Sequence, residues 1–206
     1  MPLDVQRAIA RIRTEIAKRG LLLLHDKALP SVTTLVAGAP VSGSWWGHAA
    51  GPVIWEALQV IDDEVASAKL VAGKVTFIHA RLWPALAAVG SERADWQWHR
   101  LGDAERALVD ELDDAGQLRS DERLAQAPPA SRKALKRAID RAERRLLVYT
   151  EQIHAESGKH ARVLTSWSHF VKARALTPPA PSSARHELQT LVHGWPPPKG
   201  KRLLPW

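Results

Sequence analysis

Two stretches of this chain change hydrophobic period in the same order, and that order narrows the folds open to it more than any other feature. In each stretch helical spacing gives way to short β-prone runs around a turn. In the first, Val5, Ala8, Ile9, Ile12 and Ile16 recur at helical spacing until Gly20 stops them. A short apolar piece at 32–36 follows, between Pro30 and Gly38. Pro52 then opens a helix whose apolar stripe is Val53, Ile54, Ala57, Leu58 and Ile61. Residues 66–71 and 74–79 flank Ala72-Gly73, which has the chemistry of a tight hairpin turn. Residues 81–89 predict a helix that tolerates Pro84 in its first turn.

The second stretch repeats the order. Asp103 caps a helix carrying Ala104, Ala107, Leu108 and Leu112, ended by Gly116. Residues 118–127 read as a short helix before Pro128-Pro129, and Ser131 caps a longer one that continues to Leu146. Residues 146–154 and 159–166 read as strands joined by Glu156-Ser157-Gly158. Beyond residue 171 the composition shifts. Thr177-Pro178-Pro179-Ala180-Pro181 and Trp195-Pro196-Pro197-Pro198 predict an extended arm, interrupted by one helix over 184–193. The expected class is α+β and mainly helical, with a first domain at 1–100, a second at 101–170 and a proline-rich arm at 171–206.

Composition removes several classes of chemistry. A chain of 206 residues buries a sizeable core, and without cysteine it has no disulfide, thiolate metal site or cysteine nucleophile. No apolar run approaches the roughly 18 residues of a membrane span, so no membrane partner is expected. Met1-Pro2-Leu3-Asp4 lacks the start of a signal peptide, which points to the cytoplasm. Nucleotide-binding GxxxxGK[ST] and GxGxxG patterns and the GxSxG of serine hydrolases are missing as well.

Charge is the informative quantity. Lys and Arg number 29 against 22 Asp and Glu, a net +7. Residues 131–206 carry 15 basic and 5 acidic side chains, whereas 101–130 carry 3 and 8. A surplus held in one region is the footprint of a polyanion-binding face. Within the helix after Ser131, Leu135, Ala138, Ile139, Ala142 and Leu146 share one side. Lys133, Arg137, Arg141 and Arg144 share the other, flanked by Arg132, Lys136 and Arg145. Lys159, His160 and Arg162 follow in the next turn and strand. A plain solvated helix face, held by pairs such as Asp140 with Arg144, is the competing reading.

Nine tryptophans beside one tyrosine and two phenylalanines are the second oddity. Trp45 and Trp46, in Ser44-Trp45-Trp46-Gly47-His48, suit either a stacking platform or an aromatic core. Trp55 and Trp83 are expected in a core. Glu151, His154 and His160 supply too few ligands for a metal site, and no cofactor is expected.

Helix, short helix, basic helix and hairpin, in that order, resemble a winged helix-turn-helix, most clearly over 103–166. With the first stretch counted, the chain resembles tandem winged-helix proteins, a group that includes bacterial DNA glycosylases able to unhook interstrand crosslinks. Those enzymes place a Gln-apolar-Gln or Gln-apolar-Asp motif at the lesion. The nearest match here is Gln97-Trp98-His99, with His in place of the second Gln or Asp. The resemblance implies a bacterial-type DNA-binding protein using residues 131–145 as recognition helix and 159–162 as wing. Its alternative is a repair glycosylase in which Gln97, His99 or His48 orients water beside a tryptophan-held base. A third possibility is a protein-interaction module on the same scaffold. Oligomeric state is left open.

Overall fold

The computed structural model describes residues 1–154, 160–198, 200 and 202–206, with the side chains of all of these except 153, 154 and 160. Helix predominates among the described residues and two three-stranded antiparallel sheets accompany it, so the class is α+β and mainly helical. The chain divides into two compact units, Met1–Trp83 with Glu187–Leu204, and Pro84–His186 with Pro205–Trp206.

In the first unit α1 (Leu3–Arg19) buries Val5, Ala8, Ile9, Ile12 and Ile16, the stripe read from spacing. Gly20 ends it at φ +79, its N–H donating to the Ile16 carbonyl at 2.8 Å. A Cβ there would meet Leu82 at 2.7 Å, so conformation and space both favour glycine. Then come β1 (Leu21–Leu23), α2 (Val32–Ala37), α3 (Gly51–Ile61), β2 (Val65–Val71) and β3 (Lys74–His79). The strands lie in the order β1-β3-β2, with Leu22 opposite Phe77. Ala72 and Gly73 both have positive φ, as the hairpin turn requires. The Ala72 N–H also donates to the Leu203 carbonyl at 2.6 Å.

One carboxylate organises the loop between β1 and α2. Asp26 Oδ1 accepts the N–H groups of Ala28 and Leu29 at 2.8 and 2.9 Å, and Oδ2 accepts from Lys74. The Asp26 carbonyl accepts the hydroxyls of Ser31 and Thr34, and Ser31 Oγ caps α2 through the Thr34 N–H. Burial pushes this carboxyl up, but Lys74 and the two N–H groups outweigh it and hold it below the usual range.

The second unit comprises most of α4 (Trp83–Ser91), then α5 (Asp95–Trp98), α6 (Asp103–Ala115), β4 (Gln117–Arg119), α7 (Ser120–Gln126) and α8 (Arg132–Arg144). After α8 come β5 (Tyr149–His154), β6 (His160–Thr165), α9 (Trp167–Ala173) and the first part of α10 (Pro181–Leu191). Its strand order β4-β6-β5 matches the first unit, as does the element order from α6 to β6.

Several local expectations are corrected. The strands β1 and β4 are additional, and β4 takes residues 118 and 119 from the start of the helix expected at 118–127. Asp103 is the first helical residue rather than the cap; the Glu105 carboxylate accepts the exposed Gly102 N–H at 3.0 Å instead. Ser131 makes no cap bond to α8, because its backbone is already helical and its hydroxyl donates to the Pro128 carbonyl. Leu146 belongs to neither helix nor strand. It sits at φ +51, where its N–H reaches the Glu143 carbonyl and the Leu147 N–H reaches that of Ala142, which ends α8. The turn expected at 156–158 lies outside the described residues. The helix expected at 184–193 begins earlier, at Pro181, a residue suited to a first turn.

The Leu146 carbonyl accepts the Trp167 indole N–H at 2.7 Å, and the indole lies flat over Gly90. A Cβ at Gly90 would lie 2.1 Å from that ring, a contact no small shift relieves. Gly90→Ala is therefore expected to destabilise the second unit by about 1–3 kcal/mol, read as a lowered urea midpoint; an unchanged midpoint would show that the indole has room to move.

Asp26 sets a pH dependence in the first unit. Because its folded pKa lies below the usual value of roughly 3.9, its contribution is complete above that value and disappears as pH falls through the folded one. Asp26→Asn is expected to cost about 1–3 kcal/mol at neutral pH. Urea titrations should show the gap between the two proteins closing as pH is lowered below about 4; a gap that widened in acid would contradict the sign.

Candidate nucleic-acid interface

The helix α8 is built from strong helix formers, Lys, Arg, Ala, Leu and Glu, so propensity and pattern agree. It buries Ala138, Ile139 and Ala142 in a core with Leu108, Val109, Leu112, Leu147, Val148 and Leu164, and Leu135 packs against the edge. The opposite side is exposed and basic. Lys133, Lys136, Arg137 and Arg144 make no ion pair or side-chain hydrogen bond with any described residue. Lys133 and Arg144 lie eleven residues apart, a rise of about 16 Å.

The remaining cations expected at this face have internal partners. Arg141 reaches Glu105 at 2.9 Å, yet its side chain stays 52% exposed and open to a second contact. Arg132 donates to the carbonyls of Ala127 and Ala125 at 3.1 and 3.3 Å, which fastens the turn before α8. Arg145 donates to the carbonyls of Trp96 and His99. Arg162 turns back onto α8, donating to Asp140 at 2.8 Å and Glu143 at 3.0 Å, while Glu143 also accepts the Thr150 hydroxyl. The Asp140–Arg144 pair of the competing reading is not what forms: Asp140 pairs with Arg162. Lys159 and the side chain of His160 fall outside what is described, and the His160 backbone pairs with His154 across the β5–β6 hairpin.

Arg162 matters to the electrostatics of this face. At 100° per residue Asp140 falls between Lys136 and Lys133, within the arc that these two span with Arg144 and Arg137. Unpaired, it would place a negative charge amid the cations. Nothing local in the sequence announces this partnership, since the residues are 22 positions apart. The acidic helix α6 behaves similarly. Glu105 takes Arg141, Glu111 takes Arg123 at 2.8 Å and Asp113 takes Arg93.

The first unit's third helix, α3, contains no Lys or Arg and exposes Glu56 and Gln59. Its aromatic neighbours divide the two expected roles. Trp45 is buried in the core, while Trp46 stacks on it at 4.1 Å and remains 56% exposed. Trp55 lies 5.1 Å from Trp46 and is half-buried, as is Trp83, whose indole donates to the Ile78 carbonyl. His48 is exposed, and its Nδ1 accepts the Ala50 N–H at 3.1 Å.

Gln97 and His99 do not converge on a reacting centre. Gln97 is fully buried and its amide is saturated with backbone. Its oxygen accepts the Ala94 N–H at 2.9 Å, and its nitrogen donates to the carbonyls of Gly90 and Leu146 at 3.1 and 3.2 Å. His99 is exposed. Between them Trp98 is half-buried, with the guanidinium groups of Arg93 and Arg106 at 5.6 and 5.3 Å from its ring. Glu151 pairs with Arg174 at 2.8 Å, and no metal-binding group of three ligands occurs among the described residues. Nor is any described helix long and apolar enough to cross a membrane.

Comparisons with protein-family models, curated proteins and solved structures find no match. The chemistry of the face therefore rests on its own residues: exposed guanidinium and ammonium groups in one stripe, with the nearest carboxylate neutralised from outside it. Such an array attracts closely spaced anions and is screened by salt.

Gln97 is expected to act on stability. Gln97→Ala leaves the part-buried Ala94 N–H and the Gly90 carbonyl without this partner and the Leu146 carbonyl to the Trp167 indole alone, and should cost about 1–3 kcal/mol, measured as a drop in the denaturant midpoint. A variant of unaltered stability would contradict this role.

Proposed function

We propose that this protein binds duplex DNA through α8, and that its two units are winged helices of which the second carries the DNA-facing surface. The observation that carries this reading is the set of exposed cations at Lys133, Lys136, Arg137 and Arg144, without acidic partners among the described residues, on a helix whose other side is fixed in a core. In a winged helix the third helix enters the major groove, about 12 Å wide and able to admit an α-helix. The helix α8 occupies that position in the order α6-β4-α7-α8-β5-β6. Contacts at this face are mainly to phosphate, so affinity falls steeply with salt. The glycosylase reading gains no support from Gln97, whose amide is wholly engaged by the backbone.

The test is binding of a short labelled duplex across a salt series, beside a variant carrying Lys133→Gln, Lys136→Gln, Arg137→Gln and Arg144→Gln. Wild type is expected to show a log–log slope of about −5, and the variant a slope shallower by about 3–4. Equal affinity and equal slope would overturn the assignment. An abasic-site assay on alkylated or crosslinked duplex should return binding without base release.

A further inference from the structure

We infer that the first unit takes phosphate through its first helix, α1, and not through α3; this rests on the DNA-binding reading above. The two units share their element order but not their surface chemistry. The helix that occupies the position of α8 in the first unit has no basic residue, exposes Glu56 and Gln59 and presents Val60 to solvent. A helix face of that composition does not attract a phosphate backbone.

The cations of the first unit lie elsewhere. Arg7, Arg11 and Lys18 stand at offsets of zero, four and eleven, the same spacing as Lys133, Arg137 and Arg144 on α8. At 100° per residue each set falls within an arc of about 40°. Arg7, Arg11 and Lys18 are exposed, and none makes an ion pair or side-chain hydrogen bond with a described residue. Ala10, Thr14 and Ala17, also exposed, lie beside them, so the helix surface between the cations is low and open to close approach by a backbone.

Nearby carboxylates are withheld from this stripe as Asp140 is withheld on α8. Glu15 is taken by Arg19 at 2.6 Å. Glu64 lies away from the stripe, paired with Arg13, which at 100° per residue is about 120° or more around the helix from all three cations. Asp4 remains in the first turn, where it complements the helix N-terminus; it borders the stripe, about 60° from Arg7 and about 20° from Arg11 around the helix, two turns before Arg11. Two helices of different topological position thus carry the same uncompensated pattern, and polyanion is the chemistry that both fit.

The experiment uses the full chain and the same duplex, with Arg7→Gln, Arg11→Gln and Lys18→Gln combined. All three side chains are exposed, so the denaturant midpoint should hold within about 0.5 kcal/mol. The log–log salt slope is expected to become shallower by about 1–2, the share that α8 does not supply, with affinity at low salt reduced roughly tenfold or more. The charge-preserving variant Arg7→Lys with Arg11→Lys should keep the wild-type slope, and Glu56→Gln should leave it unchanged. A wild-type slope in the α1 variant, with a loss in the α8 variant, overturns this inference alone. Unchanged slopes in both variants overturn the DNA reading and this inference together.

Discussion

The second unit depends on one backbone carbonyl. Leu146 sits at φ +51, a conformation unfavourable for a branched side chain, and it ends α8 where the chain turns toward β5. Its carbonyl lies just past the helix terminus, and Gln97 and the Trp167 indole both donate to it. The Gln97 side chain ties α5 to this point, and Trp167 ties the start of α9. The indole reaches it only because Gly90 leaves its space empty. Four segments distant in sequence therefore fix where α8 stops and the hairpin begins. The basic face upstream inherits its orientation from that anchor.

Exposed ion pairs contribute little to stability individually, about 0–1 kcal/mol. Their arrangement here has a larger consequence for surface potential. Arg162 covers Asp140 and Glu143, Arg13 covers Glu64, and Arg19 covers Glu15. For Asp140 and Glu15 the arginine lies outside a cationic stripe and occupies a carboxylate that borders it. The stripe is left positive without any increase in net charge. The overall value of +7 therefore understates the local field at α8.

The sequence made the long helices and the first hairpin legible because their signals are local. Apolar spacing located α1, α3, α6 and α8, and Ala72-Gly73 located the turn between β2 and β3. The strands β1 and β4 were not legible. Each is three residues long, too short for a period to register, and each forms by pairing with β3 or β6 more than forty residues away. Ser131 has the residue type of a cap, but helical backbone already runs through it and its hydroxyl turns to Pro128. The basic stripe on α8 was legible as a stripe. Which of its members lacked partners was not, because Glu105 and Arg162 approach from other elements. Gln97 shows the same limit in reverse: a side chain with catalytic potential by composition is consumed by three backbone groups that only the folded chain brings together.

Equivalent topology and unequal surfaces separate what the fold supplies from what the residues supply. The stretches from α1 to β3 and from α6 to β6 both run helix, strand, helix, helix, strand, strand, and both order their sheets alike. That order is satisfied by burying one stripe per helix, and it leaves the outer faces unconstrained. In the second unit the outer face of the third helix is cationic, with its one central acid neutralised. In the first, the same position is uncharged apart from Glu56 and is bordered by the exposed indole of Trp46. A topological repeat therefore does not imply a functional one. Charge left without an internal partner is the better guide, because a folded chain gains nothing from an unpaired cation that water would not equally supply. Three such cations in register on α1, and four on α8, are surfaces whose chemistry the fold itself does not require.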